Sequence, residues 1–152
     1  MKVELFGVRG SMPTPGSDTH LYGGNTSCTY VTKKNGSALI LDSGTGIAKL
    51  GDYLLEQQSP IYILLTHNHW DHIQGFPFFT PIYQDGREIN IYPGQTLLNE
   101  PNQILHQMEG SLFPVPSAAL KANIQIQTLH ADQHKFAIGE ATIRRLPLNH
   151  PG

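Results

Sequence analysis

One stretch of the sequence decides how this chain folds: Pro60-Ile61-Tyr62-Ile63-Leu64-Leu65-Thr66-His67-Asn68-His69-Trp70-Asp71-His72. Its first half is a continuous apolar run, which is the pattern of a β-strand buried on both faces of a sheet. Its second half places three histidines and an aspartate within six residues, at the carboxyl end of that strand. Packing alone does not account for so many ionisable side chains beside a buried strand. We therefore expect the cluster to form a functional site.

The cluster contains side chains that bind borderline metal ions. Histidine and carboxylate ligands suit zinc, manganese and iron. His67 and His69 lie two residues apart, so in extended backbone they project to the same side and can bind one ion. The chain must then turn after Trp70, which lets Asp71 and His72 point to a neighbouring position. A structural metal site, or a chance surface run, is the alternative explanation.

This ligand pattern suits two metal ions that are bridged by a water molecule. Such a pair lowers the pKa of the water, so that a metal-bound hydroxide forms near neutral pH, and it polarises the bond under attack. Asp71 is then a candidate both as a ligand and as the base that holds the nucleophilic water. We expect two divalent ions, with zinc in the first place and manganese or iron as alternatives.

The rest of the chain has the pattern of an α/β protein. Hydrophobic periodicity predicts strands over residues 2–8, 27–33, 38–41, 60–66, 88–92, 122–129, 135–138 and 141–148. It predicts helices over residues 46–57 and 97–108. Asn35-Gly36 is a hairpin turn signal, and the Gly- and Pro-rich loop over residues 10–25 is either functional or a plain surface excursion. The sequence contains no repeat or linker, so we expect a single domain over residues 1–152.

Composition and charge narrow the classes of function. The chain has 152 residues, 39% of them apolar, which is enough for one hydrophobic core. Its net charge of -2, without a Lys/Arg run, gives no bulk-charge attraction to nucleic acid. Cys28 is the only cysteine, which excludes an intrachain disulfide and a cysteine-rich zinc module. The sequence shows neither a signal peptide nor an apolar stretch of the roughly 20 residues that cross a bilayer. We expect a cytoplasmic protein without a membrane partner.

The motif His-X-His-X-Asp-His after a Leu-Leu-Thr strand resembles the signature of the metallo-β-lactamase fold hydrolases. Further blocks resemble the branch of that family related to ribonuclease Z and phosphoribosyl cyclic phosphodiesterases, at residues 7–11, 22–28, 41–46 and 66–79. These blocks span nearly the whole chain. The fold implied by the resemblance is an αββα sandwich of two similar halves. The substrate implied is less specific, because the six-residue motif also occurs in thioesterases, lactonases and lactamases of the superfamily.

The resemblance implies a role for each residue of the site. His67 and His69 match two ligands of the first metal, and His150 matches the third. Asp71 and His72 match ligands of the second metal, and Asp71 also matches the residue that orients the water.

Asp42 and Trp70 each allow two interpretations. Asp42 matches a buried aspartate of the family that supports the metal-binding loop from behind the ligands. It could also cap the helix that contains Ile47. Trp70 is interpreted as a packing residue that fixes the loop rather than as a platform for substrate. The nearby phenylalanines form either an apolar pocket wall or a dimer contact: Phe76, Phe78, Phe79 and Phe113.

The end of the chain departs from the family pattern. The family expects a bridging aspartate on a later strand and a final histidine, and both would lie beyond Gly152. We interpret the chain as the N-terminal half of the sandwich plus the start of the second half, a single domain that is incomplete at its C-terminus. On this interpretation it holds the first metal with three histidines and the second poorly.

Two classes of function follow. The first is a metal-dependent hydrolase that attacks a phosphodiester, such as a small cyclic one, with a metal-bound hydroxide. A hydrolase for an ester, thioester or lactone is a variant within the same fold. The second class is a non-catalytic or inactive metal-binding module that needs a partner chain, because half of a sandwich leaves an apolar sheet face uncovered. The partners expected are a small-molecule or phosphodiester substrate and, in a homo-oligomer, a second copy of the chain.

Overall fold

The computed structural model describes residues 1–32, 38–94, 101–130 and 132–150. Its strands, in chain order, are β1 (Lys2–Gly7), β2 (Cys28–Thr32), β3 (Ala38–Leu41), β4 (Ile61–Leu64), β5 (Glu88–Tyr92), β6 (Asn123–Ile126), β7 (Lys135–Ile138) and β8 (Ala141–Arg144). Its α-helices are α1 (Gly46–Leu54), α2 (Trp70–Ile73) and α3 (Gln103–His106). Short 3-10 turns occur at Ser17–Thr19, Phe76–Phe78, Thr80–Tyr83 and Ser117–Ala119.

The first six strands form one sheet in the order of the chain, β1-β2-β3-β4-β5-β6. β1, β2 and β3 pair antiparallel, whereas β3, β4, β5 and β6 pair parallel. In the parallel part Ile40 lies opposite Ile63, which lies opposite Ile91. Since parallel strands end at the same edge, the residues that follow β3, β4 and β5 meet there. This edge carries the histidine cluster.

Both faces of the middle of this sheet are covered, which explains the continuous apolar run of β4. One face, with Ile40 and Ile63, packs against α1 through Ile47 and Leu50. The opposite face packs against the β7–β8 hairpin, and its core residues are Val31, Leu39, Leu64 and Ile138. Alternate residues of a strand point to opposite faces, so a strand between two layers must be apolar throughout. The layers are thus helix, sheet and a second β-layer, consistent with the predicted metallo-β-lactamase sandwich.

Most predicted elements are confirmed with shifted ends. Residues 38–41, 88–92 and 135–138 form strands as predicted, and the helix predicted over 46–57 ends at Leu54. The strand predicted over 141–148 is wrong beyond Arg144. Pro147 lacks the N–H that a ladder needs, and the flanking Leu146 and Leu148 are exposed.

Two predicted features fall partly or wholly outside the described residues. The Asn35-Gly36 turn lies outside them, and so do residues 97–100 of the helix predicted over 97–108. Within the described remainder of that segment, only Gln103–His106 are α-helical. None of the helices in the described part of the chain has the length and apolar character to cross a membrane.

The buried thiol of Cys28 provides a test of the packing of β2. Its side chain has no solvent exposure, and burial together with the nearby charge of Asp42 raises its pKa to about 12. A thiolate is the reactive form of cysteine. We therefore expect no reaction of the native chain with a disulfide reagent at pH 8, and one equivalent of reaction after unfolding in urea. Rapid stoichiometric labelling of the native chain would contradict this packing.

Candidate metal centre

Three loops are fixed to one another at the carboxyl edge of the parallel strands. The N–H of Asp42, just after β3, donates to the carbonyl of Leu64 at 2.9 Å. The N–H of Leu65, just after β4, donates to the carbonyl of Tyr92 at 2.9 Å. The N–H of Ser43 donates to the carbonyl of His72 at 2.7 Å. The sheet pairing is thereby extended into the loops, so the histidine cluster starts from a fixed backbone.

Three histidines bring their ring nitrogens together at this edge. One nitrogen from each of His67, His69 and His150 lies within 4.8 Å of the other two. His67 Nε2 is 2.9 Å from His69 Nδ1 and 3.2 Å from His150 Nε2. The site therefore unites two residues of the cluster with one that is 83 positions away from His67 in the chain.

The donor chemistry of the three histidines fits a divalent metal. Imidazole nitrogens are ligands for zinc, manganese and iron, and three such ligands leave a coordination position open. His69 and His150 are exposed, so this position is reachable from solvent. An open, three-ligand site is typical of a catalytic metal rather than a structural one.

Asp71 and His72 lie beside the three histidines. Asp71 Oδ2 is 3.5 Å from His72 Nε2, and the rings of His67 and His72 have centroids 4.2 Å apart. Helix α2 begins at Trp70 and provides the turn that the sequence required, since His69 is its N-cap residue in extended conformation. The structure thus brings together all five predicted ligand residues.

The carboxylate of Asp42 lies behind the ligands and is buried. Its Oδ2 accepts hydrogen bonds from Ser27 Oγ at 3.0 Å and from His72 Nδ1 at 2.8 Å. Its Oδ1 accepts from the N–H of Thr66 at 2.8 Å and from the Thr66 hydroxyl at 2.9 Å. Since Nδ1 of His72 donates to Asp42, its Nε2 faces Asp71. The alternative role as a helix cap is wrong, because α1 follows Thr45 and has no side-chain cap.

The hydroxyl of Thr66 connects this carboxylate to the first histidine. Thr66 Oγ1 donates to Asp42 and lies 3.0 Å from His67 Nδ1, so it can accept the proton of that nitrogen. His67 then keeps the lone pair of Nε2 for a metal. Partners that fix the tautomer of a ligating histidine in this way also raise its basicity.

Two residues with strained backbone conformations lie at the site. Among the described non-glycine residues only Ser11 (φ 68°) and Asp42 (φ 62°) adopt left-handed conformations. The N–H of Ser11 donates to Asp71 Oδ2 at 2.7 Å. Arg9 holds the same loop closed, because its Nε donates to the carbonyl of Met12 at 2.9 Å. Such strain persists where the surroundings enforce it, often at functional sites.

The site shifts the pKa values of its groups in different directions. Burial, and then the charges of His72, His69 and His150, lower the pKa of His67. The hydrogen bond to Asp42 raises the pKa of His72 against the effect of burial. Burial opposes ionisation of Asp71, but the bond from Ser11 and the charge of His72 hold its pKa below the ordinary value. Asp71 is therefore a carboxylate at neutral pH.

Sequence reasoning missed several residues of the site. Thr66, Ser11 and Gly94 carry no motif chemistry of their own, and only the fold shows their role. A Cβ atom on Gly94 would lie 2.4 Å from Cα of His67, so the loop after β5 approaches the cluster as closely as glycine permits. The interpretation of Trp70 as a packing residue is wrong, since its side chain is 71% exposed.

Comparison with known proteins agrees with this geometry. The family model described as the metallo-beta-lactamase superfamily matches residues 21–151. The chain belongs to this superfamily. Its members are in general metal-dependent hydrolases, and the three-histidine site of this chain is suited to hold a metal. No curated protein matches the chain.

Two solved structures resemble the superfamily domain described here. The metallo-beta-lactamase fold protein YhfI from Bacillus subtilis aligns with a TM-score of 0.63 and 18% identity, over 99% of this chain and 54% of that one. The BLEG-1 B3 metallo-beta-lactamase aligns with a TM-score of 0.47 and 21% identity, over 93% of this chain and 58% of that one. The chain thus spans little more than half the length of either protein. The likeness to YhfI supports the fold assignment.

We predict that Asp42→Asn weakens metal binding although Asp42 touches no metal. Both oxygens of the Asp42 carboxylate accept hydrogen bonds, whereas the side-chain amide of the variant has an NH₂ group in place of one of them. The donors on that side lose their acceptor, so the loop that carries the ligands is held less firmly. Loss of such a supporting partner lowers metal affinity by roughly 10- to 100-fold. Calorimetric titration with zinc measures the change, and Asp85→Asn, at an exposed site, is the matched control. Equal zinc affinities for the two variants would show that the Asp42 network does not orient the ligands.

We also predict that the pKa values of His67 and His72, both partly buried, shift in opposite directions from the ordinary value of 6.5 in the metal-free chain. NMR should show a pKa above it for His72 and below it for His67. Since the folded pKa of His72 is the higher one, its stabilising effect is complete below the unfolded value and is lost as pH rises through the raised value. Asp42→Asn should lower the pKa of His72, whereas Asp85→Asn should not. An unchanged pKa of His72 in Asp42→Asn would refute this account.

Proposed function

We propose that this domain is a metal-dependent hydrolase of phosphodiesters, with small cyclic phosphodiesters as the first candidates. The observation that carries the proposal is the meeting of the three-histidine site with the Asp71–His72 pair, which lie side by side at an exposed edge. The sequence blocks that resemble the ribonuclease Z and cyclic phosphodiesterase branch support the substrate class.

In this proposal each ligand residue has a distinct position. His67 and His150 offer Nε2, and His69 offers Nδ1, to a first divalent ion, for which zinc is the first choice. Asp71 and His72 offer a carboxylate oxygen and Nε2 to a second ion. Ions bound there supply Lewis acidity and lower the pKa of a coordinated water.

Asp71 is the proposed base. Its Oδ2 is held by the N–H of Ser11, so we assign Oδ1 to the proton of the attacking water. Hydrolysis joins the oxygen of that water to phosphorus and breaks the bond from phosphorus to the leaving alcohol, which takes up a proton. The lowered pKa of Asp71 keeps the carboxylate ionised and ready to accept.

Arg9 favours an anionic substrate over a neutral ester. Its Nε donates a hydrogen bond within the loop that also presents the Ser11 N–H to Asp71. The Arg9 side chain is therefore part of the loop that borders the site. The Arg9 side chain is exposed and therefore accessible to a ligand. Guanidinium groups recognise phosphate oxygens in pairs, and a lactone or thioester has no such oxygens. The exposed guanidinium of Arg9 therefore supports a phosphodiester as the substrate.

A metal-binding module that pairs with another chain is the second candidate. Val3 and Leu5 lie on the sheet face that also carries Val31, and they are 53% and 67% exposed. Contiguous apolar surface of this kind is typical of contacts between chains. A second copy of the chain, in a homo-oligomer, is the simplest partner.

We predict turnover of bis-p-nitrophenyl phosphate and 2′,3′-cyclic nucleotides by the zinc- or manganese-loaded chain. Arg9→Met should reduce kcat/KM for these anions by about 10-fold or more, in line with a lost charged hydrogen bond. Arg144→Met, at an exposed position of β8, is the matched control. Spectrophotometric assays of both variants, with a neutral thioester as a parallel substrate, measure the difference.

The other outcomes are equally informative. If the chain hydrolyses a thioester or lactone well and hydrolyses no phosphodiester, it is an ester hydrolase rather than a phosphodiesterase. A dimer with a single metal per chain and no turnover of any ester would favour the metal-binding module. Two metals per chain in an active monomer would exclude that module.

A further inference from the structure

Trp70 is exposed in a way that tryptophan seldom is. Its side chain has 71% of its surface in contact with solvent, although an indole ring loses favourable burial when it is left in water. Phe78 is also exposed, but its ring packs edge-on against that of Phe113, with the ring centroids 5.5 Å apart. No ring in the described part of the chain packs against Trp70.

The backbone beneath this exposed ring is fixed. Trp70 is the first residue of α2, and its carbonyl accepts the N–H of Gln74 at 2.7 Å. The turn is further closed by the N–H of His72, which donates to the carbonyl of His69 at 2.9 Å. An exposed ring on a fixed backbone is pre-organised for a ligand, because little ordering remains to be done on binding.

The position of Trp70 in the chain places the residue beside the reaction centre. It stands between His69, a proposed ligand of the first metal, and Asp71, a proposed ligand of the second. Neighbouring Cα atoms are about 3.8 Å apart, so the backbone of Trp70 lies directly beside that of both ligand residues. His69 and His150 open to solvent, and a substrate enters from the exposed side of the site.

We propose that Trp70 is a stacking platform for an aromatic group of the substrate. The inference rests on the proposed phosphodiesterase function and narrows its substrate class to phosphodiesters that carry a nucleobase or another aromatic ring. Indole stacks on any base through its π-face, so the platform confers preference for aromatic over aliphatic esters without a choice of base. Trp70 is thus a binding residue that sets specificity.

The first test compares two cyclic phosphodiesters. Adenosine 2′,3′-cyclic phosphate carries a nucleobase, whereas glycerol 1,2-cyclic phosphate has the same kind of cyclic ester without any aromatic ring. We expect Trp70→Ala to raise KM for the adenosine ester by roughly 10-fold, within the range of one stacked base, and to leave kcat nearly unchanged. KM for the glycerol ester should stay the same. Trp70→Phe should recover most of the loss, and Tyr53→Ala, which removes an exposed ring from α1, is the control.

The second test needs no turnover. Trp70 is the only tryptophan of the chain, so its fluorescence reports on this position alone. Adenosine monophosphate should quench the emission and protect it from acrylamide, whereas glycerol phosphate should do neither. The titration uses the full chain with zinc bound. If adenosine monophosphate protects the emission but the chain hydrolyses no phosphodiester, the stacking role of Trp70 is supported and the proposed activity is refuted.

Three outcomes would contradict the proposed stacking role of Trp70. The first is an equal effect of Trp70→Ala on the adenosine and glycerol esters. The second is emission that adenosine monophosphate leaves unchanged while the chain turns over phosphodiesters. The third is protection from acrylamide that rises with protein concentration in the absence of ligand, because the ring would then be a contact between two copies. Circular dichroism of Trp70→Phe verifies the fold if Trp70→Ala is unstable.

Discussion

The buried carboxylate of Asp42 is the constraint on which the site depends. A buried charge is costly unless hydrogen bonds satisfy it, and Asp42 receives them from Ser27, Thr66 and His72. These donors lie on the loops that follow different strands, so the carboxylate holds the loops together. The same bonds decide which nitrogen of His72 faces outward. Packing of the sheet edge and orientation of the metal ligands therefore have one cause.

The backbone around this carboxylate is shaped by close approaches. A Cβ atom on Gly44 would lie 2.4 Å from the carbonyl oxygen of Asp71, and one on Gly75 would lie 2.1 Å from that of Gly44. Loops this close leave no room for side chains, which explains the Asp-Ser-Gly-Thr-Gly turn after β3. Left-handed conformations at Ser11 and Asp42 add strain that the surrounding hydrogen bonds offset. The ligands are thus positioned by backbone geometry that a motif search does not describe.

Sequence patterns predicted the parts of the molecule that local physics determines. The apolar run before His67 predicted a doubly covered strand, because alternation disappears when both faces are buried. The spacing of His67, His69, Asp71 and His72 predicted the chemistry of the cluster. That His150 joins them followed only from the resemblance, since 83 positions separate it from His67. The hydroxyl of Thr66 and the N–H of Ser11 were not predictable, as their roles arise from tertiary contacts. The predicted packing role of Trp70 is wrong because tryptophan side chains are usually buried, and the sequence alone does not show that this one lies at the surface.

We propose that His67, His69 and His150 hold one divalent metal, with Asp71 and His72 directed to its neighbour. Anomalous diffraction from zinc-soaked crystals of the chain tests it most directly. We expect an anomalous peak at bonding distance from His67 Nε2, His69 Nδ1 and His150 Nε2. A peak bound only by other residues, or none at saturating zinc, would contradict it.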